Sequence, residues 1–191
     1  AILDHWVNYV NRFKLKNTIY IPDEIWVFDI YAYRIAKKIF SKKQCKIYLK
    51  KNFYFVDLRN SFKKSLYKKQ KIIGICLFSS PNISSKKNAL KHIINYIESR
   101  FKNKNYKIIL RPHPKEKINK LIQLTKGFKK LKISKNSIQK DLINSSYAYG
   151  SNSMGLVIAD KIFRCKAFNL HIFKGFKNIL PYKSIKQIKL F

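Results

Sequence analysis

The chain has 191 residues, of which 46% are hydrophobic, so it is long and apolar enough to bury a core and is unlike a disordered protein. Its 42 lysines and arginines against 9 acidic residues give a net charge of +33, which favours an anionic partner such as nucleic acid, a membrane surface or a polyanionic substrate. Only six of the 42 are arginine, and the lysines are spread along the whole chain. This pattern favours a generally basic surface over one dedicated binding face. In addition, no apolar run in the sequence approaches the roughly 18 residues that a membrane span needs.

The three cysteines, Cys45, Cys76 and Cys165, are far apart in the sequence and include no C-x-x-C pair. Buried free thiols in a reducing compartment fit this spacing, so we expect a cytoplasmic protein whose basic surface favours the inner face of the membrane. No signal peptide is recognisable. Because the chain begins at Ala1, inside the apolar segment Ala1–Leu3, we expect an upstream portion to precede it.

The first 56 residues predict a β–α–β unit, which would form one domain. Asp4 is placed to cap a helix whose apolar positions recur as far as Phe13. Further along we predict a strand at Ile25–Phe28, a helix at Tyr31–Phe40 and a strand at Ile47–Leu49. Residues 57–70 are polar, basic and without a clear period, which predicts a linker or a helix crossing between two domains.

Residues 71–191 predict a second domain in which strands and helices alternate again. Its first strand, Ile72–Phe78, is continuously apolar, as expected for a sheet covered on both faces. The other predicted strands are Ile108–Leu110, Phe128–Ile133, Tyr147–Gly150 and Ala167–Leu170. The predicted helices are 90–101, Ile118–Leu124, Ser137–Asn144 and Met154–Ile162. This order of elements predicts an α/β fold with a parallel sheet.

The segment Tyr106–Pro114, with the sequence YKIILRPHP, combines a buried strand with an abrupt polar end. Its two prolines cannot continue a ladder and they fix the backbone, so Arg111 and His113 are presented rigidly at the carboxyl end of a strand. In open α/β sheets ligands bind at this edge. His113 can donate to a phosphate or a sugar hydroxyl, and Arg111 can grip a phosphate or carboxylate with two N–H groups. A plain strand end with solvated side chains is the simpler alternative.

A second polar segment, Gly150–Ser153 with the sequence GSNS, lies between a predicted strand and a predicted helix. The N–H groups at the start of that helix and the positive end of its dipole favour an anion, and Ser151 and Ser153 add hydroxyl donors. An ordinary helix cap without a ligand is the alternative. In a parallel sheet this segment and Arg111–Pro114 would open on the same edge, where a nucleotide mono- or diphosphate fits between them.

Together these features resemble the nucleotide-binding half of the GT-B glycosyltransferases. The resemblance covers about residues 71–170 and rests on the R-P-H-P strand end and the G-S-N-S helix start, preceded by a strand and the small polar loop Ser79–Asn82. Within that fold the chain is most similar to bacterial enzymes of the sialyltransferase-like and capsule-polysaccharide type. The resemblance implies two Rossmann-like parallel-sheet units, of which the first is the incomplete tail of an acceptor domain.

The resemblance also implies which residues contact the donor nucleotide. His113 would contact its phosphate or ribose, and Ser151 and Ser153 would hold phosphate. Asp160 would be an acidic ribose contact, although its Ala-Asp-Lys context departs from the Glu-Ala pair of related enzymes. The full set of implied donor contacts is Ser79, Ser80, Arg111, His113, Pro114, Gly150, Ser151, Asn152, Ser153 and Asp160.

Two residues near the start of the chain are candidates for the catalytic base. Asp4 and His5 follow a predicted strand, where either could take the proton from an acceptor hydroxyl, as general-base catalysis of sugar transfer requires. A structural interpretation, with Asp4 as a helix cap and His5 in the first turn, is the simpler one. Asp29, which follows another strand, is a further candidate of the same kind.

The resemblance implies an enzyme that transfers a sugar from a nucleotide-sugar donor to a surface glycan or lipid-linked acceptor. The similarity to sialyltransferase-like enzymes implies a sialic-acid-like sugar. His113, Arg111 and the helix dipole would stabilise the leaving-group charge without a metal ion or other cofactor. No cluster of histidines, cysteines or carboxylates has the spacing of metal ligands.

Three alternatives remain open: a nucleotide-sugar epimerase, a polyol-phosphate transferase and a non-enzymatic nucleic-acid-binding protein. An epimerase needs acid–base carboxylates in its cleft, and the chain has only 9 acidic residues. A polyol-phosphate transferase also uses a His-Pro type of site. The sequence contains no recognition helix, RNP-like aromatic strand or zinc motif, so specific nucleic-acid binding is not expected despite the charge.

Overall fold

The computed structural model describes residues 1–3, 6–40, 45–63, 71–84 and 88–191. They divide into two compact units, the first made of residues 1–56 and 179–181 and the second of residues 57–178 and 182–191. The segment predicted as a linker includes most of a helix, α2 (Phe53–Lys63). Within the described ranges, no helix is both long enough and apolar enough to cross a membrane.

The first unit is built on a parallel sheet of three strands, and a small antiparallel hairpin accompanies it. The sheet contains β1 (Ile2–Leu3), β4 (Glu24–Val27) and β5 (Lys46–Leu49) in the order β1–β4–β5. The hairpin contains β2 (Lys14–Leu15) and β3 (Thr18–Ile19). The helix α1 (Ile30–Phe40) joins β4 to β5. Leu3, Ile25 and Val27 form the buried side of this sheet. The predicted β–α–β unit is therefore confirmed.

The helix predicted between Asp4 and Phe13 is wrong. The chain forms a 3₁₀ turn at Val10–Phe13 and then enters the hairpin. Asn8 has a φ of 61°, a left-handed conformation that interrupts a right-handed helix. Trp6 and Tyr9 are nevertheless buried, so the apolar spacing identified core residues but not their conformation. Asp4 and His5 lie outside the described residues.

The second unit is built on a six-stranded sheet in which every pairing is parallel. Its strands are β6 (Ile73–Phe78), β7 (Tyr106–Arg111), β8 (Leu131–Ile133), β9 (Tyr147–Gly150), β10 (Lys166–His171) and β11 (Lys186–Lys189). Its helices, besides α2, are α3 (Pro81–Ser84), α4 (Ala89–Arg100), α5 (Ile118–Thr125), α6 (Ile138–Ile143) and α7 (Met154–Lys161). The predicted α/β fold with Rossmann-like parallel sheets is confirmed.

The strand order of the second sheet is β11–β10–β9–β6–β7–β8. From β6 the chain moves outward to β8, returns to β9 beside β6, and then moves outward in the other direction. The two halves of this Rossmann-type order meet between β6 and β9, and ligands of such sheets bind at the carboxyl ends of the strands beside that point. The topology therefore marks one place on the sheet edge as the first candidate for a site.

The core beneath that edge comes from side chains that the sequence pattern identified. Leu90, Ile93, Ile94 and Ile97 form one face of α4 and are buried against Ile75, Leu77, Ile108 and Leu110 of β6 and β7. The prediction that Ala167–Leu170 is the last strand is wrong, because β11 pairs with β10 beyond it. The sequence of β11 is Lys-Gln-Ile-Lys, so its single apolar residue left no alternation to detect.

Candidate functional site

The carboxyl ends of three neighbouring strands bring the two predicted polar segments to one edge. Phe78 of β6 pairs with Arg111 of β7, and Leu77 of β6 pairs with Tyr149 of β9. The loops that follow these strands therefore begin side by side. We call residues 112–116 the histidine loop and residues 151–153 the serine turn; β6 and its following residue, Ser79, lie between them.

The histidine loop holds the ring of His113 in one orientation. The Lys115 backbone N–H donates to Nδ1 of His113 over 3.1 Å. Because Nδ1 acts as an acceptor, the neutral ring carries its proton on Nε2, which can then donate to a ligand. The ring is half-buried and lines a cavity of about 250 Å³ together with Arg111, Pro114 and Glu116.

Glu116 fixes this loop, although sequence reasoning did not single it out. One carboxylate oxygen accepts the backbone N–H of His113 over 2.8 Å, and the other accepts the hydroxyl of Ser79 over 2.8 Å. The Ser79 proton is therefore used to hold the histidine loop against β6. The hydroxyl oxygen of its neighbour Ser80 is buried and has no hydrogen-bond partner among the described residues. Of the two predicted serines, Ser80 is the one with a hydroxyl left to use.

Arg111 is partly committed to a structural ion pair. Its Nη1 donates to Asp141 over 2.8 Å and to the Asn136 carbonyl over 2.7 Å. Asp141 is fully buried, and its two oxygens also accept from the Ser134 hydroxyl over 2.8 and 2.7 Å. Arg111 therefore ties the end of β7 to α6, and only its remaining N–H groups are available to an anion.

The serine turn leads into the amino-terminal end of α7. Ser153 caps this helix by accepting the Gly155 N–H over 3.1 Å. Its hydroxyl proton has no acceptor within the described part of the chain and is available to a ligand. Gly155 lets the helix approach β6, because a Cβ atom there would collide with the Phe78 ring. Gly150 and Ser151 complete the turn between β9 and the helix, and Ser151 is half-buried.

Asn152 shapes the turn instead of presenting its polar groups. It has a φ of 48°, its N–H donates to Oδ1 of Asn169 over 2.7 Å, and its side-chain amide donates to the Lys177 carbonyl over 2.8 Å. Asn169 is fully buried in β10, and its Nδ2 lies within 3.1 Å of side-chain oxygens of Asn152, Asn178 and Gln187. This amide cluster holds the serine turn in place.

Asp160 is not brought to this edge. It lies in the last turn of α7, a helix of 8 residues that starts at the serine turn and runs away from it, so the side chain is about 10 Å further along the helix axis. There its carboxylate accepts the Ser184 hydroxyl over 2.6 Å and pairs with Lys161 over 2.9 Å. In the first unit, Asp29 caps α1 by accepting the N–H groups of Tyr31 and Ala32, so it too has a structural role.

Two of the three free thiols, Cys76 and Cys165, are buried in the second unit. Burial is the main cause that raises the pKa of Cys76 far above its ordinary value, and the charge of Asp141 adds to the shift. Burial likewise raises the pKa of Cys165 to about 12, with a further contribution from Asp160. Both are therefore inert thiols at neutral pH. Across the described ranges, no three histidine, cysteine or acidic side chains are grouped as a metal site requires.

Comparison with solved structures identifies the fold. The chain is similar to the crystal structure of Methanocaldococcus jannaschii UDP-GlcNAc 2-epimerase in complex with UDP-GlcNAc and UDP, with a TM-score of 0.65 and 14% identity over 88% of this chain and 51% of that chain. A second structure of UDP-GlcNAc 2-epimerase from that organism gives a TM-score of 0.57 and 13% identity over 88% and 52% of the two chains. This chain has a GT-B-like fold. It spans about half the length of these neighbours.

The likeness is one of structure and not of sequence. No family model matches the chain, and no curated protein is similar to it at a significant level. At 14% identity the similarity establishes the fold alone. The narrower resemblance to sialyltransferase-like and capsule-polysaccharide enzymes therefore stays a prediction.

Proposed function

We propose that this chain binds the nucleotide part of a nucleotide sugar between the histidine loop and the serine turn, and that the enzyme transfers the sugar to a glycan or lipid-linked acceptor. The proposal depends on one observation: hydrogen-bond donors of the histidine loop and of the serine turn lie at the same sheet edge, beside the point where β6 pairs with β9. Nε2 of His113 has no partner among the described residues on one side, and the Ser151 and Ser153 hydroxyls lie at the start of α7 on the other. Such donors suit a phosphate group.

In the reaction, these groups would stabilise the leaving nucleotide. As the bond from the sugar to the donor phosphate breaks, negative charge grows on the phosphate oxygens. Preorganised N–H and O–H donors at the helix start, together with His113, would bind the more highly charged transition state more strongly than the bound nucleotide sugar in its ground state. Arg111 would add its remaining N–H groups from the opposite wall. These groups need no metal ion for this role.

Sugar transfer is preferred here because the nearby carboxylates are already bonded. Glu116 holds Ser79 and the histidine loop, and Asp141 holds Arg111 and Ser134. An epimerase would require carboxylates placed for proton transfer at the sugar. Epimerisation is nevertheless the second candidate function, because both structural neighbours are UDP-GlcNAc 2-epimerases.

Thermal unfolding with UDP, CDP, CMP, GDP and ADP tests nucleotide binding. We expect one nucleotide, present at about 100 times its Kd, to stabilise the protein by about 2.7 kcal/mol and to raise the Tm by several degrees. The shift should disappear in His113→Ala and persist in His92→Ala, a control at an exposed histidine on α4. A shift of equal size in both variants, or with every anion in the panel, would refute the nucleotide site.

The fate of the bound nucleotide sugar separates the two activities. NMR spectra of the nucleotide sugar with the protein alone should stay unchanged for a transferase, and free nucleotide should appear when an acceptor glycan is added. Conversion into a stereoisomer that still carries its nucleotide, without any acceptor, would assign the epimerase function instead.

A further inference from the structure

A second cavity of the second unit, with a volume of about 510 Å³, is lined by residues of β7, β8, α6 and the loop between the latter two. Its size lies within the range of about 300–1,000 Å³ that is usual for ligand sites. Five lysines line it, and we call it the lysine cavity: Lys107, Lys130, Lys132, Lys135 and Lys140.

The positive charge of this cavity is not neutralised from within. The one acidic residue in its lining is Asp141, which is fully buried and paired with Arg111. Among the described residues, no carboxylate lies within 4.0 Å of the ammonium groups of Lys107, Lys132, Lys135 and Lys140. Lys130 places its ammonium group 4.1 Å from the centre of the Tyr106 ring. Because like charges around a concave surface add their fields, the cavity selects a ligand with several negative charges.

The residues of the lysine cavity other than the lysines indicate which class of anionic ligand fits it. Ile109 and Ile133 contribute aliphatic surface, and the described residues of the lining include neither an aromatic side chain nor an arginine. Sites for single-stranded nucleic acid stack bases on aromatic rings and use arginine, and a membrane surface does not enter a recessed cavity. Sugar rings present C–H groups that pack on aliphatic side chains, while carboxylate or phosphate substituents reach the lysines.

We infer that the lysine cavity binds an anionic oligosaccharide with carboxylate or phosphate groups on successive sugar units. The cavity adjoins the one lined by His113, since both include Ser134, Lys135 and Asn136. A glycan bound there would lie next to the candidate nucleotide site, as an acceptor chain must. The inference rests on the charge and lining of the cavity itself, so it holds or fails independently of nucleotide binding.

The test compares two triple variants of equal charge. Lys107→Gln, Lys132→Gln and Lys140→Gln alter the cavity, whereas Lys91→Gln, Lys120→Gln and Lys183→Gln remove three exposed lysines elsewhere in the same unit. The probe is fluorescently labelled oligogalacturonate, which carries one carboxylate per sugar, and a dextran oligomer is the neutral comparison. We expect the cavity variant to bind oligogalacturonate about tenfold more weakly, with a shallower salt dependence, and the control variant to change by less than about twofold.

Three outcomes would overturn the inference. Equal weakening in both triple variants would mean that oligogalacturonate is held by the overall charge. Binding of dextran as tight as that of oligogalacturonate would remove the anionic requirement. Tighter binding of single-stranded DNA than of oligogalacturonate, lost only in the cavity variant, would assign the cavity to nucleic acid. Nucleotide-induced Tm shifts, measured on the same variants, should stay at the wild-type value and so keep this inference separate from the proposed nucleotide site.

Discussion

The histidine loop and the serine turn lie at the same sheet edge, but they are held by different kinds of bond. Around the histidine loop the bonds involve charges: Glu116 joins the loop to Ser79, and the buried Asp141 joins Arg111 to α6. Around the serine turn the bonds are between neutral amides, centred on the buried Asn169. The comparison shows that one edge can be fixed on one side by buried charge and on the other by uncharged groups.

The two arrangements also leave different groups for a ligand. On the charged side most polar atoms are already bonded. Among the described residues, Nε2 of His113, the Ser80 hydroxyl and the remaining N–H groups of Arg111 are left there. On the neutral side the amides take over the structural role, so the Ser151 and Ser153 hydroxyls are left for binding. A buried charge without its partner is more costly than a buried amide without one. Stability measurements should therefore distinguish the two sides.

The largest effect is expected from Arg111→Ala, which leaves the Asp141 carboxylate buried without its cation. Removing one partner of a buried ion pair costs about 3–5 kcal/mol, and the free energy of unfolding measured in urea should fall by that amount. Arg59→Ala, at an exposed position of α2, is the matched control and should change stability by less than about 0.5 kcal/mol. A loss below about 1 kcal/mol for Arg111→Ala would show that the pair contributes little to holding the loop.

A smaller effect is expected from Asn169→Ala. The substitution leaves the Asn152 N–H and the amides of Asn178 and Gln187 to find other partners, at a total cost of about 2–3 kcal/mol. Asn103→Ala, in an exposed turn, serves as its control in the same urea titration. Nucleotide binding should weaken in parallel, because the serine turn loses its support. A cost exceeding that of Arg111→Ala would reverse the ranking of charged and neutral bonds.

The smallest effect per residue concerns the two buried thiols, Cys76 and Cys165. Their pKa values are raised in the folded protein, so above about pH 9 they ionise in the unfolded chain while they stay protonated in the folded one. Their contribution to stability is complete below that pH and is lost as the pH rises toward the folded pKa, which for Cys165 is about 12. Between pH 8 and pH 10 each thiol should lower the free energy of unfolding by about 1.5 kcal/mol.

The variant with both Cys76→Ala and Cys165→Ala tests the thiol effect. Its free energy of unfolding should fall less between pH 8 and pH 10 than that of the wild type, whatever the offset at neutral pH. Identical slopes for the two proteins would show that the thiols remain accessible to water. The charge of Asp160 acts on Cys165 and that of Asp141 on Cys76, so single variants would separate the two contributions.

The amino-acid sequence by itself determined the local elements of this protein. The apolar run of β6, the helical spacing of α4 and the proline-terminated end of β7 were all predictable, because they depend on neighbouring residues and on two fixed periods. The same local signals located Arg111, His113 and the serine turn at strand ends. Local reasoning failed where one residue changed the backbone, as Asn8 did, and where the apolar signal was a single residue, as in β11.

Only the tertiary structure decided the strand order and the use of each polar group. Ser79 bonds with Glu116 across 37 positions of sequence, Arg111 with Asp141 across 30, and Asn152 with Asn169 across 17. Such pairs have no period, and each partner alone looks like an ordinary polar surface residue. The lysine cavity is hidden in the same way, since lysines are frequent everywhere in the sequence and only the packing of β7, β8 and α6 gathers five of them around one space. The burial of a polar side chain and its distance from other groups decide whether it has a structural role or is available to a ligand. Neither quantity can be read from the sequence.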